Sequence, residues 1–178
     1  AANSAVGRCV VQIAKELGIS TLNLVRREEL IPELLSLGAT EVYLDQENVI
    51  NPLKKSLNRD IVSGFNAIGG QSALRVASLL TPGSTLTTYG AMSKEPLTIP
   101  NGLLIYKDIR FVGIIRARWC EEAGPATVSS LMTRLIGWVR AHKLIQPIDQ
   151  IFSLNDLSHA IKRSIDPHRK GKVLLKIS

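Results

Sequence analysis

Apolar positions along the chain switch between two periods. Val6, Val10, Ile13, Ala14 and Leu17 recur at helical spacing and predict an amphipathic helix that Gly18 ends at a left-handed cap. Ser20 to Arg26 then reads as a strand, about Glu28 to Leu37 as a helix with Pro32 near its first turn and Gly38 as its stop, and Glu41 to Leu44 as a third extended segment. After a polar stretch containing Asn51-Pro52, a short strand is expected over Phe65 to Ile68, ending in Gly69-Gly70, and a helix over Gln71 to Leu80. Thr81-Pro82-Gly83 is a turn, and Ser84 to Tyr89 a strand ending at Gly90. The last part predicts a strand over Arg110 to Ile115, a helix over Val128 to His142 just after Gly124-Pro125, an extended Ile148 to Phe152, a helix over Asn155 to Ile165 and a terminal strand over Lys172 to Ile177.

This alternation of buried-looking strands with helices argues for the α/β class, with a parallel sheet covered on both faces. The chain opens on a small-residue turn, Ala2-Asn3-Ser4-Ala5-Val6-Gly7, that runs straight into the first helix with no strand before it. Ala2, Ser4 and Gly7 stand where a Gly-x-Gly-x-x-Gly fingerprint has its glycines, so the turn reads as a dinucleotide-binding turn or as an ordinary tight one. On the first reading the fold is a Rossmann-like doubly wound parallel sheet whose first strand is missing from this chain.

Composition narrows the function classes. The chain has 178 residues, 45% of them hydrophobic, which is enough for one substantial core. No apolar run approaches the roughly 20 residues that span a bilayer, and the start lacks the regions of a secretory signal. Cys9 and Cys120, like His142, His159 and His168, are scattered outside any metal-ligand spacing, so no metal site is expected. The net charge of +7 is dispersed and aromatics are only 4%, which favours a solvated basic surface over nucleic-acid binding. Such a surface also attracts an anionic cofactor or a phosphate-bearing acyl carrier.

In a doubly wound sheet, ligands bind at the carboxyl ends of the strands. Four candidate loops fall there. The opening turn is the first, and Val25-Arg26-Arg27 is the second: arginine replaces the acidic residue that would bond an NAD ribose and suits a 2′-phosphate instead. Gly69-Gly70 and Tyr89-Gly90-Ala91-Met92 close two more strands and permit backbone approach to a ring or ribose. Each loop alone could be a structural turn or a solvated pair. Together they favour a dinucleotide site.

The string resembles the cofactor-binding half of the medium-chain dehydrogenase/reductase superfamily, and within it the 2-enoyl thioester reductase family of mitochondrial fatty acid synthesis. The resemblance rests on Ala1-Ala2-Asn3-Ser4-Ala5-Val6-Gly7, Thr21-Leu22-Asn23-Leu24-Val25-Arg26, Leu37-Gly38-Ala39, Gly69-Gly70, Thr88-Tyr89-Gly90-Ala91-Met92-Ser93-Lys94 and Leu103-Leu104-Ile105-Tyr106-Lys107-Asp108. It implies that residues 1–178 are a dinucleotide-binding domain for NADPH, with about 145–178 returning toward an N-terminal catalytic domain that is absent. It places Asn3, Ser4, Ala5 and Val6 against the pyrophosphate, and Arg26, Arg27 and Glu28 around the 2′-phosphate. Tyr89, Gly90, Ala91 and Met92 would lie near the nicotinamide, Ile114, Ile115 and Arg116 beside nicotinamide and substrate, and Lys172 would reach the cofactor from the last strand. The family has an aromatic pair where Ile114 and Ile115 stand, and Arg-Asp-Arg where this chain has Arg26-Arg27-Glu28.

The implied reaction is NADPH-dependent reduction of a trans-2-enoyl thioester of coenzyme A or acyl carrier protein, with hydride delivered to the β-carbon. The family's proton donor is a tyrosine of the absent domain, so no catalytic residue is assigned here and Tyr89 is not given that role. The resemblance also implies a homodimer when complete and a mitochondrial location in a eukaryote, otherwise a cytoplasmic one. Two alternatives share these features: a zinc-free quinone oxidoreductase of the same superfamily, and a non-catalytic binding protein with a degenerate cofactor domain.

Overall fold

The computed structural model describes residues 1–166 and 168–177. Seven helices and seven strands alternate for most of its length: α1 (Ala5–Glu16), β1 (Leu22–Val25), α2 (Ile31–Ser36), β2 (Glu41–Leu44), α3 (Glu47–Ser56), β3 (Ser63–Asn66), α4 (Gly70–Leu79), β4 (Thr85–Thr88), α5 (Asn101–Ile105), β5 (Arg110–Gly113), α6 (Arg116–Arg140), β6 (Ile148–Ser153), α7 (Leu157–Ile165) and β7 (Lys172–Lys176). Every strand pairing is parallel, as β1 with β2, β3 with β4, β4 with β5, and β6 with β7.

Residue parity shows why helices cover both faces. Successive side chains on a strand point to opposite sides, and here both sides are apolar. Val25 packs with Val11 of α1 and Leu34 of α2, joined by Val42 and Leu44. Leu24, one residue earlier, packs on the other face with Ile50 and Leu53 of α3 and Leu79 of α4, joined by Leu22 and Tyr43. A third cluster of Ala77, Leu80, Leu86 and Ile109 continues this packing under β4. The sheet is therefore doubly wound.

It is also divided. Among the described residues β1 pairs only with β2, and β3 only with β4 on one side, so β1 and β3 each keep an open edge. The two open edges line a common cavity of about 720 Å³, bounded by Thr21 to Leu24 on one side and Ile61 to Ile68 on the other. The opening turn borders the same cavity through Ala1, Ala2 and Gly7.

Several local expectations need correction. The stretch around Asn51-Pro52 is helix α3, with Pro52 inside it, because Ile50 and Leu53 bury against β1 and outweigh the local polarity. A further short helix, α5, was not expected at all. β3 lies at Ser63–Asn66, two residues before the expected Phe65–Ile68, because Asn66 turns the chain into Gly69-Gly70. The helix expected from Val128 begins at Arg116 and is broken at Gly124, whose φ is 76°. The cap at Gly18 is as expected, with the Ile19 N–H returning to the Ala14 carbonyl at 2.8 Å.

The C-terminal β6–β7–α7 unit is held by Asp149, which accepts two bonds from Arg163 at 2.6 and 2.8 Å and one from the Lys170 N–H at 2.7 Å. The Arg163 guanidinium, aided by that N–H, pulls the Asp149 carboxyl down to about 2. A carboxylate depressed in the folded state contributes stability above its unfolded value, which is lost as pH falls through the folded one. Protection factors of the β6 and β7 amides, which allow for the intrinsic pH dependence of exchange, are expected to fall between about pH 4 and pH 2, and Asp149→Asn to remove most of that fall, with Asp166 retaining the rest. An unaltered profile in the variant would show that another group controls the unit.

Candidate functional site

The parallel strands bring their carboxyl ends to one edge, and the opening turn sits in the middle of it. Ser4 caps α1, its hydroxyl accepting from the Gly7 N–H at 3.1 Å. The Ala5 and Val6 amides have no partner among the described residues, and the first turn of α1 carries no acidic side chain. A twelve-residue helix thus presents free N–H groups and the positive end of its dipole at this turn. Gly7 is required by contact: a Cβ there would strike the carbonyl oxygen of Ala2 and come within 2.7 Å of that of Ala1.

Neighbouring strand ends are tied to the turn. The Ala2 N–H reaches the Leu24 carbonyl at 3.4 Å, and the Ser4 hydroxyl lies near enough to the Tyr89 phenol to influence its titration. Burial pushes the Tyr89 hydroxyl above the ordinary tyrosine value, against a smaller opposing effect of Ser4, so it stays neutral. Behind Tyr89, Gly90 lies so close to Ala67 that an added Cβ would come within 3.1 Å of its carbonyl oxygen. The Tyr89 N–H bonds to Asn66 O, and the Met92 N–H to Ala67 O. Ala91 and Met92 are exposed at the end of this loop.

Arg26 and Arg27 follow β1 but differ in their partners. Arg26 is exposed, makes no hydrogen bond or ion pair among the described residues, and follows β1, whose Leu24 carbonyl accepts from Ala2 in the opening turn. Arg27 is engaged with Glu29 at 3.1 Å and contacts His168 at 3.4 Å. Glu28 is exposed and opens a single 3-10 turn.

Ile114 extends β5 by donating its N–H to Thr88 O at 3.0 Å, Ile115 caps α6 and Arg116 opens it, all three exposed at the same edge. Lys172 is exposed at the start of β7, with its N–H on Pro147 O at 2.8 Å. The adjacent Gln146 donates to Ala5 O at 2.9 Å, which brings this segment to the N-terminus of α1.

Four residues outside the expected set organise the edge. Asn66, buried at the end of β3, accepts from the Ile68 and Gly69 N–H groups at 3.0 Å each and donates to Thr88 at 3.2 Å. It sets the Gly69-Gly70 turn, where Gly69 has φ 93° and ψ −168°, a region open essentially to glycine alone. A polar residue closing an otherwise apolar strand just ahead of Gly-Gly was its signal. Asp45, at the end of β2, accepts from Ser72 at 2.5 Å and Arg75 at 2.6 Å and so joins the two halves of the sheet above the gap. Gln12 exchanges two bonds with Ile145 at 3.0 and 2.8 Å, and with Gln146 it docks the C-terminal unit onto α1. Nothing in the spacing of these last contacts reveals them, because their partners lie more than a hundred residues apart.

Unpaired amides at a helix N-terminus, an exposed guanidinium at the end of β1 and close-packed glycines on adjoining loops are features suited to an extended anionic ligand. The chain belongs to the zinc-binding dehydrogenase family, which matches residues 5–135. It is 41% identical over 148 residues to the mitochondrial enoyl-[acyl-carrier-protein] reductase of Caenorhabditis elegans, covering 80% of this chain and 42% of that protein. In fold it is similar to the Etr1p/NADP/crotonyl-CoA complex, with a TM-score of 0.82 and 24% identity over 98% of this chain and 51% of that one. It is similar also to the quinone oxidoreductase of Thermus thermophilus, solved alone and with NADPH, with a TM-score of 0.80 and 22% identity over 99% of this chain and 56% of that one. The chain spans roughly half the length of the curated relatives it matches.

The residues present do not fit the zinc ion in the family's description. Among the described residues no group of three His, Cys, Asp or Glu side chains converges, and the Cys9 sulfur accepts from the Gln146 amide. No zinc-dependent step is assigned to this chain. No helix of the described residues is long and apolar enough to cross a membrane.

Proposed function

We propose that this chain is the cofactor-binding part of an NADPH-dependent reductase of trans-2-enoyl thioesters carried by coenzyme A or acyl carrier protein. The observation that carries the proposal is the exposed, unpaired Arg26 at the end of β1, the strand bonded to the opening turn of α1, whose first amides are also unpaired, so that a dinucleotide's 2′-phosphate and pyrophosphate would be recognised together. The names of the curated relatives support the thioester substrate and a mitochondrial location.

In this reading Asn3 and Ser4 shape the turn, and the Ala5 and Val6 amides hold the pyrophosphate. Arg26 binds the 2′-phosphate, with Arg27 and the N–H of Glu28 at its rim. Tyr89 to Met92 and Gly69-Gly70 admit the nicotinamide end close to the backbone, and the exposed Ile114 and Ile115, with Arg116, wall off water above it. The cofactor, when bound, supplies hydride. The protonating group belongs to a catalytic half outside these residues, and Tyr89, kept neutral by burial close to Ser4, serves the turn instead. The apolar outer side of the β6–β7–α7 unit, with Ile148, Ile151, Leu174 and Leu175 exposed, is where that half would pack. Dimerisation along the open outer edge of β5 belongs to the same proposal.

The enzyme carrying this chain is expected to bind NADPH more tightly than NADH and to turn over enoyl thioesters of either carrier. Titration of nicotinamide fluorescence, followed by assay with enoyl thioesters and quinones, checks this. Turnover of quinones alone assigns the chain to a quinone reductase, and failure to bind NADPH leaves a non-catalytic binding role. Lys172→Ala is expected to raise the dissociation constants of NADPH and NADH alike, by about threefold, as befits an exposed point-charge contact with a group both share. An unchanged titration would remove Lys172 from the site.

A further inference from the structure

His168 and Arg27 are 141 positions apart in the chain, yet their side chains meet, with Arg27 Nη1 3.4 Å from His168 Nδ1. Two sets of bonds bring them together. The segment before β6 is fastened to α1 by Gln12 on Ile145 at 3.0 and 2.8 Å, by Lys143 on Glu16 at 2.6 Å and by Gln146 on Ala5 O at 2.9 Å. Beyond it, Asp149 of β6 holds Arg163 of α7 and the Lys170 N–H, Arg163 donates to Asp166 at 2.7 Å, and Asp166 accepts from the His168 N–H at 2.7 Å. The backbone of His168 is thus fixed at the end of a chain of bonds that starts in β6, and its ring reaches the loop that follows β1.

An arginine only donates, so the ring nitrogen facing it accepts, and the proton of the neutral imidazole sits on Nε2. That N–H has no partner among the described residues, and His168 is exposed. Arg27 is committed through Nε to Glu29 and through Nη1 to His168, so it orients the ring and leaves the ring's donor free. Of the acids on the two loops, Glu29 is held by Arg27 and Asp166 by Arg163, whereas Glu28 is exposed and has no ion pair among the described residues. Arg26 alone would therefore meet a phosphate dianion with one cation against one nearby carboxylate, and further donors decide how firmly the group is held.

We propose that His168 is a specificity-determining residue for NADPH, its Nε2–H donating to the 2′-phosphate that Arg26 meets. This rests on the reading of the Arg26 loop as the 2′-phosphate site. Arg27 is then a positioning residue: its loss loosens the ring but leaves the donor in place, so Arg27→Ala costs less than His168→Ala. Through His168 the C-terminal β6–β7–α7 unit takes part in the choice between the two nucleotides.

The test measures binding of 2′,5′-ADP and of 5′-AMP, which differ only in the 2′-phosphate, to the enzyme carrying this chain, and follows its imidazole C–H resonances by NMR. Wild type is expected to bind 2′,5′-ADP at least about tenfold more tightly than 5′-AMP. His168→Ala is expected to weaken 2′,5′-ADP by about threefold to tenfold, the scale of one hydrogen bond, and to leave 5′-AMP unchanged. His168→Gln, whose amide offers an N–H close to the place of Nε2–H, is expected to recover most of that loss. The His168 resonance, identified by its absence from the glutamine variant, is expected to shift with 2′,5′-ADP and to stay in place with 5′-AMP. Unchanged 2′,5′-ADP binding in His168→Ala, an equal loss of both nucleotides, a glutamine variant as weak as alanine, or a stationary His168 resonance would overturn the proposal and leave Arg26 in its role. Equal affinities of the wild type for the two nucleotides would overturn the 2′-phosphate site and this inference with it.

Discussion

Replacing Gly7 with valine is expected to abolish dinucleotide binding and to lower stability by about 1–3 kcal/mol, the range for a side chain forced into packed structure. The new Cβ would meet the carbonyl oxygens of Ala1 and Ala2, which are backbone atoms. The turn cannot move away freely. Ala2 is bonded to Leu24 and Ser4 caps α1, so a shift that admits the Cβ also disturbs the end of β1 and the start of α1. Alanine places the same Cβ without branching, and is expected to weaken NADPH and NADH binding together by at least about tenfold. Cofactor titration and denaturant midpoints check both variants. Normal binding by Gly7→Ala would show that the close approach of the turn to α1 is dispensable.

The fold class was legible because both sides of each early strand are apolar. Leu24 and Val25 are adjacent in sequence yet belong to clusters on opposite faces, which is the signature of a sheet with helices on both sides. Helix α3 escaped notice because its sequence is mostly polar around Pro52, and only Ile50 and Leu53 carry its packing.

The candidate site was legible where it depends on local chemistry. The opening turn, the arginine pair and the two glycine loops are each continuous in sequence and all fall at strand ends. Asn66, Asp45, Gln12 and Gln146 act through contacts across the fold and leave little local trace. Lys107, in the segment Leu103 to Asp108 that supported the family resemblance, donates to the carbonyls of Ser78 and Leu80 at 3.1 and 2.8 Å and so closes the C-terminal end of α4. Asp108 beside it takes φ 48°, and Ile109 enters the core at 2% exposure. That segment is architectural. Lys107→Met is expected to destabilise the protein by about 1.5 kcal/mol, as for a lost charged hydrogen bond, without altering cofactor preference, and a shift in NADPH-to-NADH preference would overturn this purely architectural role.

Arg26→Ala is expected to lower the affinity for NADPH by roughly 10- to 150-fold and to leave NADH binding nearly unchanged. A charge-assisted bidentate contact is worth about 1.5–3 kcal/mol, and every 1.4 kcal/mol is a factor of ten in affinity. The 2′-phosphate is the part that NADH lacks. The assignment to Arg26 in preference to Arg27 follows from their partners. Arg27 must leave Glu29 and His168 before it can serve a phosphate, whereas Arg26 is exposed and makes no competing hydrogen bond or ion pair among the described residues. Arg27→Ala is therefore expected to cost less than about threefold, the scale of an exposed pair, and the double variant to fall little beyond Arg26→Ala. Parallel titrations with both nucleotides at several salt concentrations decide the matter. Equal losses for NADPH and NADH in Arg26→Ala would place this residue at the pyrophosphate, and a dominant effect of Arg27→Ala would show that binding releases Arg27 from Glu29.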